Sequence, residues 1–205
     1  MKKNIQRLKI GDIIEVPLLD GEKGFIQYLF NDKWGNLIGI FDFTLPLNRD
    51  VDIEQFSNKP FKFFPILTRI REGFVLSKTA ERIEELKKYH IEPHAIFNEI
   101  LTNPNRDFNW KIVGNKPVTD FIYPNFIWKE GGRSAKNTPT RWYLYTGEKN
   151  IELGKKLPEK YKSLEYMTSF PATSIINLIQ NNHDDGRNID RSMIEKSSSF
   201  FSFFQ

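Results

Sequence analysis

His90 and His94 are four residues apart, the spacing that sets two imidazoles on one helical face for zinc. The rest of such a site is missing. Ile91 stands where a metalloprotease helix carries its glutamate, and Pro93 falls between the two histidines and disrupts the helix that gives the spacing its meaning. His183 is the only other histidine, and a zinc site needs three or four placed ligands, so no metal is expected. Gly131, Gly132, Arg133 and Ser134 invite comparison with a phosphate cradle, but they lack the P-loop spacing and lie between strand-like segments, as a plain loop would. Asp12, Glu15, Asp20 and Glu22 offer carboxylates; Asp12 opens a strand and Asp20 sits in a turn, positions where carboxylates bond to nearby backbone. With zero Cys there is no thiolate nucleophile, disulfide, zinc ribbon or iron–sulfur site, and no Ser–His pair stands out. The expectation is a chain without catalytic residues or cofactor, not an enzyme.

Charge points to two kinds of partner. There are 30 Lys+Arg against 26 Asp+Glu, a net charge of +4. The signs are mixed: Asp50, Asp52 and Glu54 make an acidic stretch, and Lys155, Lys156, Lys160 and Lys162 a basic one. Trp128 with Lys129, Arg133, and Arg141 with Trp142 and Tyr143 interleave aromatic rings with base, as a single-strand nucleic-acid surface does. A small basic nucleic-acid-binding module is therefore one alternative. Aromatics on strands are more often core, and Trp110, Trp128 and Trp142 would then meet in one cluster.

The elements that must position these residues begin with a meander. Residues 10–19 are apolar and rich in β-branched side chains, Asp20 and Gly21 make a turn, and 24–30 read as the return strand. A second turn over 31–36 leads into a third strand at 37–43. Both alternating faces carry large apolar residues, Ile13 with Ile14 and Phe25 with Ile26, so the sheet is expected to be covered on both sides or curled toward a barrel, with Gly39 permitting the curl. A further strand is expected at 61–70. Helical spacing follows from Ser77 through Ala80, Ile83 and Leu86, with Ser77 or Thr79 as cap, interrupted at Pro93 and resumed through Ile96 and Ile100 until Asn103 and Pro104. Strand character returns at 110–117, 121–129 and 141–145, and a short helix is expected over Ala172, Ile175, Ile176 and Ile179.

At 205 residues, 39% of them hydrophobic and with 18 Phe, 7 Tyr and 4 Trp, the chain can build a sizeable core. The predicted fold is α+β: a curled, mainly antiparallel sheet packed by a mid-chain helical segment and a short C-terminal helix. One domain is expected over 1–190, with a helical insertion at 77–103 and a Ser/Phe-rich tail at 191–205. The basic start lacks the apolar stretch of a signal peptide, and no run approaches the ~20 residues of a membrane span, so the expected location is the cytoplasm.

Three blocks in succession, KIGDIIEVPLLDGEKGF at 9–25, GNLIGIFD at 35–42 and WKIVGNKP at 110–117, resemble the immunity protein 26 family of bacterial polymorphic toxin systems. Leu164, Glu165 and the apolar helix after them are also similar to the end of that family. The helical stretch 77–103 and the tail after Asp190 depart from its pattern. The resemblance implies a non-catalytic protein that binds and neutralises a cognate toxin domain in the producing cell, and it carries over no defined interface residues. Contacts with such a partner are expected at Asp50, Asp52 and Glu54 and at Arg133 and Arg141.

Overall fold

The computed structural model describes residues 7–63, 65–86, 95–119, 121–131, 140–181, 183–184 and 189–190. His90, His94, Arg133, Ser134 and the tail 191–205 lie outside them. The opening meander consists of β1 (Asp12–Pro17), β2 (Glu22–Asp32) and β3 (Gly35–Pro46), antiparallel neighbours with Ile14 opposite Ile26 and Ile26 opposite Ile40. β4 (Ile66–Thr68) pairs with β3, and β5 (Lys111–Asn115) pairs with β1. A second sheet is built from β6 (Phe126–Lys129), β7 (Trp142–Tyr145), β8 (Asn150–Gly154) and β9 (Glu165–Tyr166), in the order β8-β7-β6-β9. The short β10 (Ser169–Phe170) returns to the first sheet as a parallel partner of β4, which completes the order β10-β4-β3-β2-β1-β5.

Among the described residues, four α-helices accompany the sheets: α1 (Ile70–Gly73), α2 (Leu76–Leu86), α3 (Ala95–Thr102) and α4 (Ala172–Asn181). Pro93, where the helical stretch is expected to break, lies outside the described residues; α3 stops just before Asn103 and Pro104, as their chemistry requires. Among the described residues, no helix is long and apolar enough to cross a membrane.

Period-two alternation sorts the side chains of the meander. Ile14, Val16, Ile26, Tyr28, Ile38, Ile40 and Ile66 point to one face and pack with Leu76, Ala80, Ile96, Ile100 and the apolar side of α4. On the opposite face, Ile13, Phe25 and Phe41 meet Phe56 near one end, while Leu29, Leu37 and Leu67 meet Phe126 and Tyr145 of the second sheet. The protein is thus α+β, and the first sheet is covered on both sides by separate layers instead of closing on itself: β5 and β10 remain its two edges. Gly39 serves the covering layer. A Cβ there would clash with the ring of Phe61, which bridges the two clusters of that face.

The tryptophans do not form the single cluster expected of them. Trp110, beside β5, packs under Phe74 on the helical side, whereas Trp128 and Trp142 belong to the second sheet. They part because β5 pairs with β1 while β6 and β7 pair with each other.

Candidate protein-docking site

The turn between β2 and β3 is held by one buried carboxylate. Asp32 is only 8% exposed; its Oδ1 accepts the backbone N–H of Trp34 at 2.8 Å, which closes the turn locally. Its Oδ2 accepts the hydroxyl of Tyr123 at 2.6 Å and lies 2.9 Å from the hydroxyl of Tyr145, which is also 2.8 Å from the Gly147 carbonyl. The single Tyr145 proton is therefore shared between two acceptors. Burial first, and then the hydrogen bond and negative charge of Asp32, push the Tyr145 phenol up to about 12 and move that of Tyr123 upward as well. Both hydroxyls stay protonated donors at neutral pH, so the cluster acts as a pin that fastens the hairpin of the first sheet to β7 and to the segment before β6.

Around this pin the surface is aromatic. Phe30 meets Tyr123 edge-on at 5.6 Å, and Tyr123 meets Tyr145 in the same way at 6.0 Å. The ammonium of Lys33 lies 5.3 Å from the Tyr145 ring centre and 5.7 Å from that of Trp34. A register shift between Tyr28 and Phe30 turns Phe30 outward, the usual work of a bulge. Phe30 is 40% exposed, Trp34 47% and Ile122, next to Tyr123 in the chain, 63%. Large apolar groups thus stand in solvent on a support whose own polar groups are satisfied.

A groove of about 460 Å³ runs beside the hairpin turn, walled by residues 31–36 on one side and by Thr68, Arg69, Arg71, Glu72 and Ser169 on the other. Glu72 is occupied: it pairs with Arg69 at 3.1 Å and accepts the N–H of Ala172 at 3.3 Å, where it caps α4. The Ser169 hydroxyl is buried and has no hydrogen-bond partner.

The residues expected to contact a partner are placed elsewhere and apart. Asp52 accepts the N–H of Glu54 at 3.0 Å and caps the 3-10 turn Ile53–Phe56, whose Phe56 plugs the phenylalanine cluster; Asp50 and Glu54 are exposed beside it. Arg141 pairs with Glu152 at 3.1 Å across β7 and β8. Among the described residues, no hydrogen bond or ion pair joins the acidic stretch to Arg141. The interleaved aromatics are also engaged within the fold. Trp128 stacks on Tyr143 at 4.3 Å and donates its indole N–H to Asn150, while Trp142 meets Tyr166 edge-on. Asp12 and Asp20 do bond locally, Asp12 to the N–H of Lys9 and Asp20 to that of Glu22. Among the described residues, no group of three His, Asp or Glu is placed to hold a metal ion.

Sequence reasoning passes over Phe30, Asp32, Lys33 and Trp34 as strand end and turn. One signal was available: a tryptophan in a tight hairpin turn has little beneath it to cover it. Comparison with protein-family models, with curated proteins and with solved structures finds no match.

Proposed function

We propose that this chain is a non-catalytic immunity protein, which binds a cognate toxin domain in the cytoplasm of the cell that makes it and neutralises it by direct contact. The observation that carries the proposal is the exposed set Trp34, Phe30 and Ile122 on the rigid Asp32–Tyr123–Tyr145 support. Interfaces draw most of their energy from a few aromatic and arginine anchors held in place before binding, and this end of the molecule offers them together with Arg71. The sequence blocks that resemble immunity protein 26 add support, since they fall on β5, β1, β2 and β3, contiguous strands of one sheet whose hairpin presents the patch.

The experiment is co-expression with the toxin domain encoded by the neighbouring reading frame. The intact chain is expected to restore growth, and Trp34→Ala, at an exposed position, is expected to lose protection while remaining folded. Toxicity undiminished by the intact chain would refute the proposal.

A further inference from the structure

We infer that the hairpin end docks an acidic segment of the partner protein, with a partner carboxylate entering the groove between the β2–β3 turn and α1. This rests on the proposal that the chain is a binding protein, and adds the chemistry of what it binds. The charges at this end divide unequally between inside and outside. Asp32 is buried under two phenol donors, and Glu72 is held by Arg69 and the first turn of α4, so both carboxylates that wall the groove are already satisfied. Lys33 and Arg71 are exposed, and among the described residues neither has a carboxylate within ion-pair distance. Of the three cations at this end, Arg69 is paired with Glu72, Lys33 touches only the rings of Trp34 and Tyr145, and Arg71 has no carboxylate partner, so Lys33 and Arg71 keep their charge for a partner while the anions are spent on the protein's own donors.

The groove fits that charge. Its volume of about 460 Å³ exceeds what one carboxylate needs and suits a short stretch of chain. Ser169 lines it with a buried hydroxyl that lacks a partner, and a carboxylate oxygen is the acceptor such a donor wants. Trp34, on the opposite wall and 47% exposed, supplies the apolar contact beside the charge. The matching ligand is a protein segment with Asp or Glu next to a large apolar side chain. A basic partner would suit the exposed Asp50 and Glu54 instead, but Asp52 of that stretch is committed to a cap, and neither Asp50 nor Glu54 lines the groove beside the hairpin turn.

The test uses the full chain and a random peptide library displayed on phage. Selection is expected to enrich Asp- or Glu-containing peptides with an adjacent Trp, Phe or Leu. Synthetic copies of the winners should bind Lys33→Glu/Arg71→Glu at least about ten-fold more weakly, and Trp34→Ala likewise, while Asp50→Lys/Glu54→Lys leaves affinity unchanged. All the substituted side chains are exposed or half-exposed, and circular dichroism and thermal melting establish that each variant folds. Enrichment of basic peptides, no enrichment at all, or acidic peptides indifferent to the Lys33/Arg71 exchange would overturn the inference. The two proposals fail separately. Protection from the neighbouring toxin that survives Lys33→Glu/Arg71→Glu removes this docking surface and keeps immunity, whereas acidic-peptide binding without protection keeps the surface and removes immunity.

Discussion

Asp32 carries more of the structure than any other polar side chain at the hairpin. Its partners lie 91 and 113 residues further along the chain, so the pin forms only when both sheets are in place. Asp32→Asn removes the charge that two phenols donate to and is expected to cost about 1–3 kcal/mol in denaturant titrations, the range for disrupting buried hydrogen bonds to a charged group. The same contacts fix a pH dependence. A phenol whose folded value is raised keeps its stabilising share below the unfolded value near 10 and loses it as pH climbs through the folded value, here about 12 for Tyr145. Absorbance titration at alkaline pH should show Tyr145 and Tyr123 ionising above the ordinary phenol value near 10, and Asp32→Asn should bring both back down. Ionisation of Tyr123 and Tyr145 near the ordinary value would show that the pin is absent. Trp34→Ala, by contrast, should change stability by no more than about 0.5 kcal/mol, because its ring covers little of the core. At this scale the sequence is legible only where bonding is local: Asp20 in its turn and Asp12 at its strand start each accept a nearby backbone N–H, whereas nothing near Asp12 announces its second donor, Asn115, and nothing near Asp32 announces Tyr123 or Tyr145.

At the scale of elements, the meander is legible because its strands alternate large apolar residues on both faces, and a strand with two apolar faces needs two covering layers. Phe25 and Ile40 lie on opposite faces, 0% and 2% exposed, so Phe25→Ala and Ile40→Ala should each destabilise by about 2–5 kcal/mol. A loss below about 0.5 kcal/mol at both positions, measured by denaturant unfolding, would place the core elsewhere. The helix caps were harder to foresee. Ser77 and Thr79 are not the caps of α2: the N–H of Ser77 is satisfied by the side chain of Asn109, and Thr79 bonds back to the Val75 carbonyl. The N–H of Ala172 in α4 is satisfied by Glu72, 100 residues earlier, so Glu72→Ala should cost about 1 kcal/mol although no local motif marks it. Caps drawn from distant elements leave no trace in spacing.

For the whole molecule, the α+β class follows from the change of period between the meander and the helices, but the division of the strands between the six-stranded and the four-stranded sheet does not. Strand pairing is a choice of partner at long range: β5 and β6 both read from sequence simply as short strands, yet they join different sheets. That choice sends Trp110 to the helical layer and engages Trp128 with Tyr143 and Trp142 with Tyr166, so each of these rings already spends a contact within the fold, and the proposed immunity reading gives them no nucleic-acid role. DNA and RNA binding is therefore expected to be weak and salt-labile, with a log–log slope of about 0.9 per neutralised phosphate. A protein interface anchored by Trp34 behaves otherwise, because its central contacts are desolvated and salt slows mainly the encounter. The most direct test is the affinity of the full chain for the toxin domain of the neighbouring reading frame, measured by titration calorimetry at physiological and at high salt, beside Trp34→Ala. Binding of about nanomolar strength that persists in salt, and falls about 30-fold or more in the variant, is the expected result. No binding to that domain, together with nanomolar binding to nucleic acid at physiological salt, would contradict it.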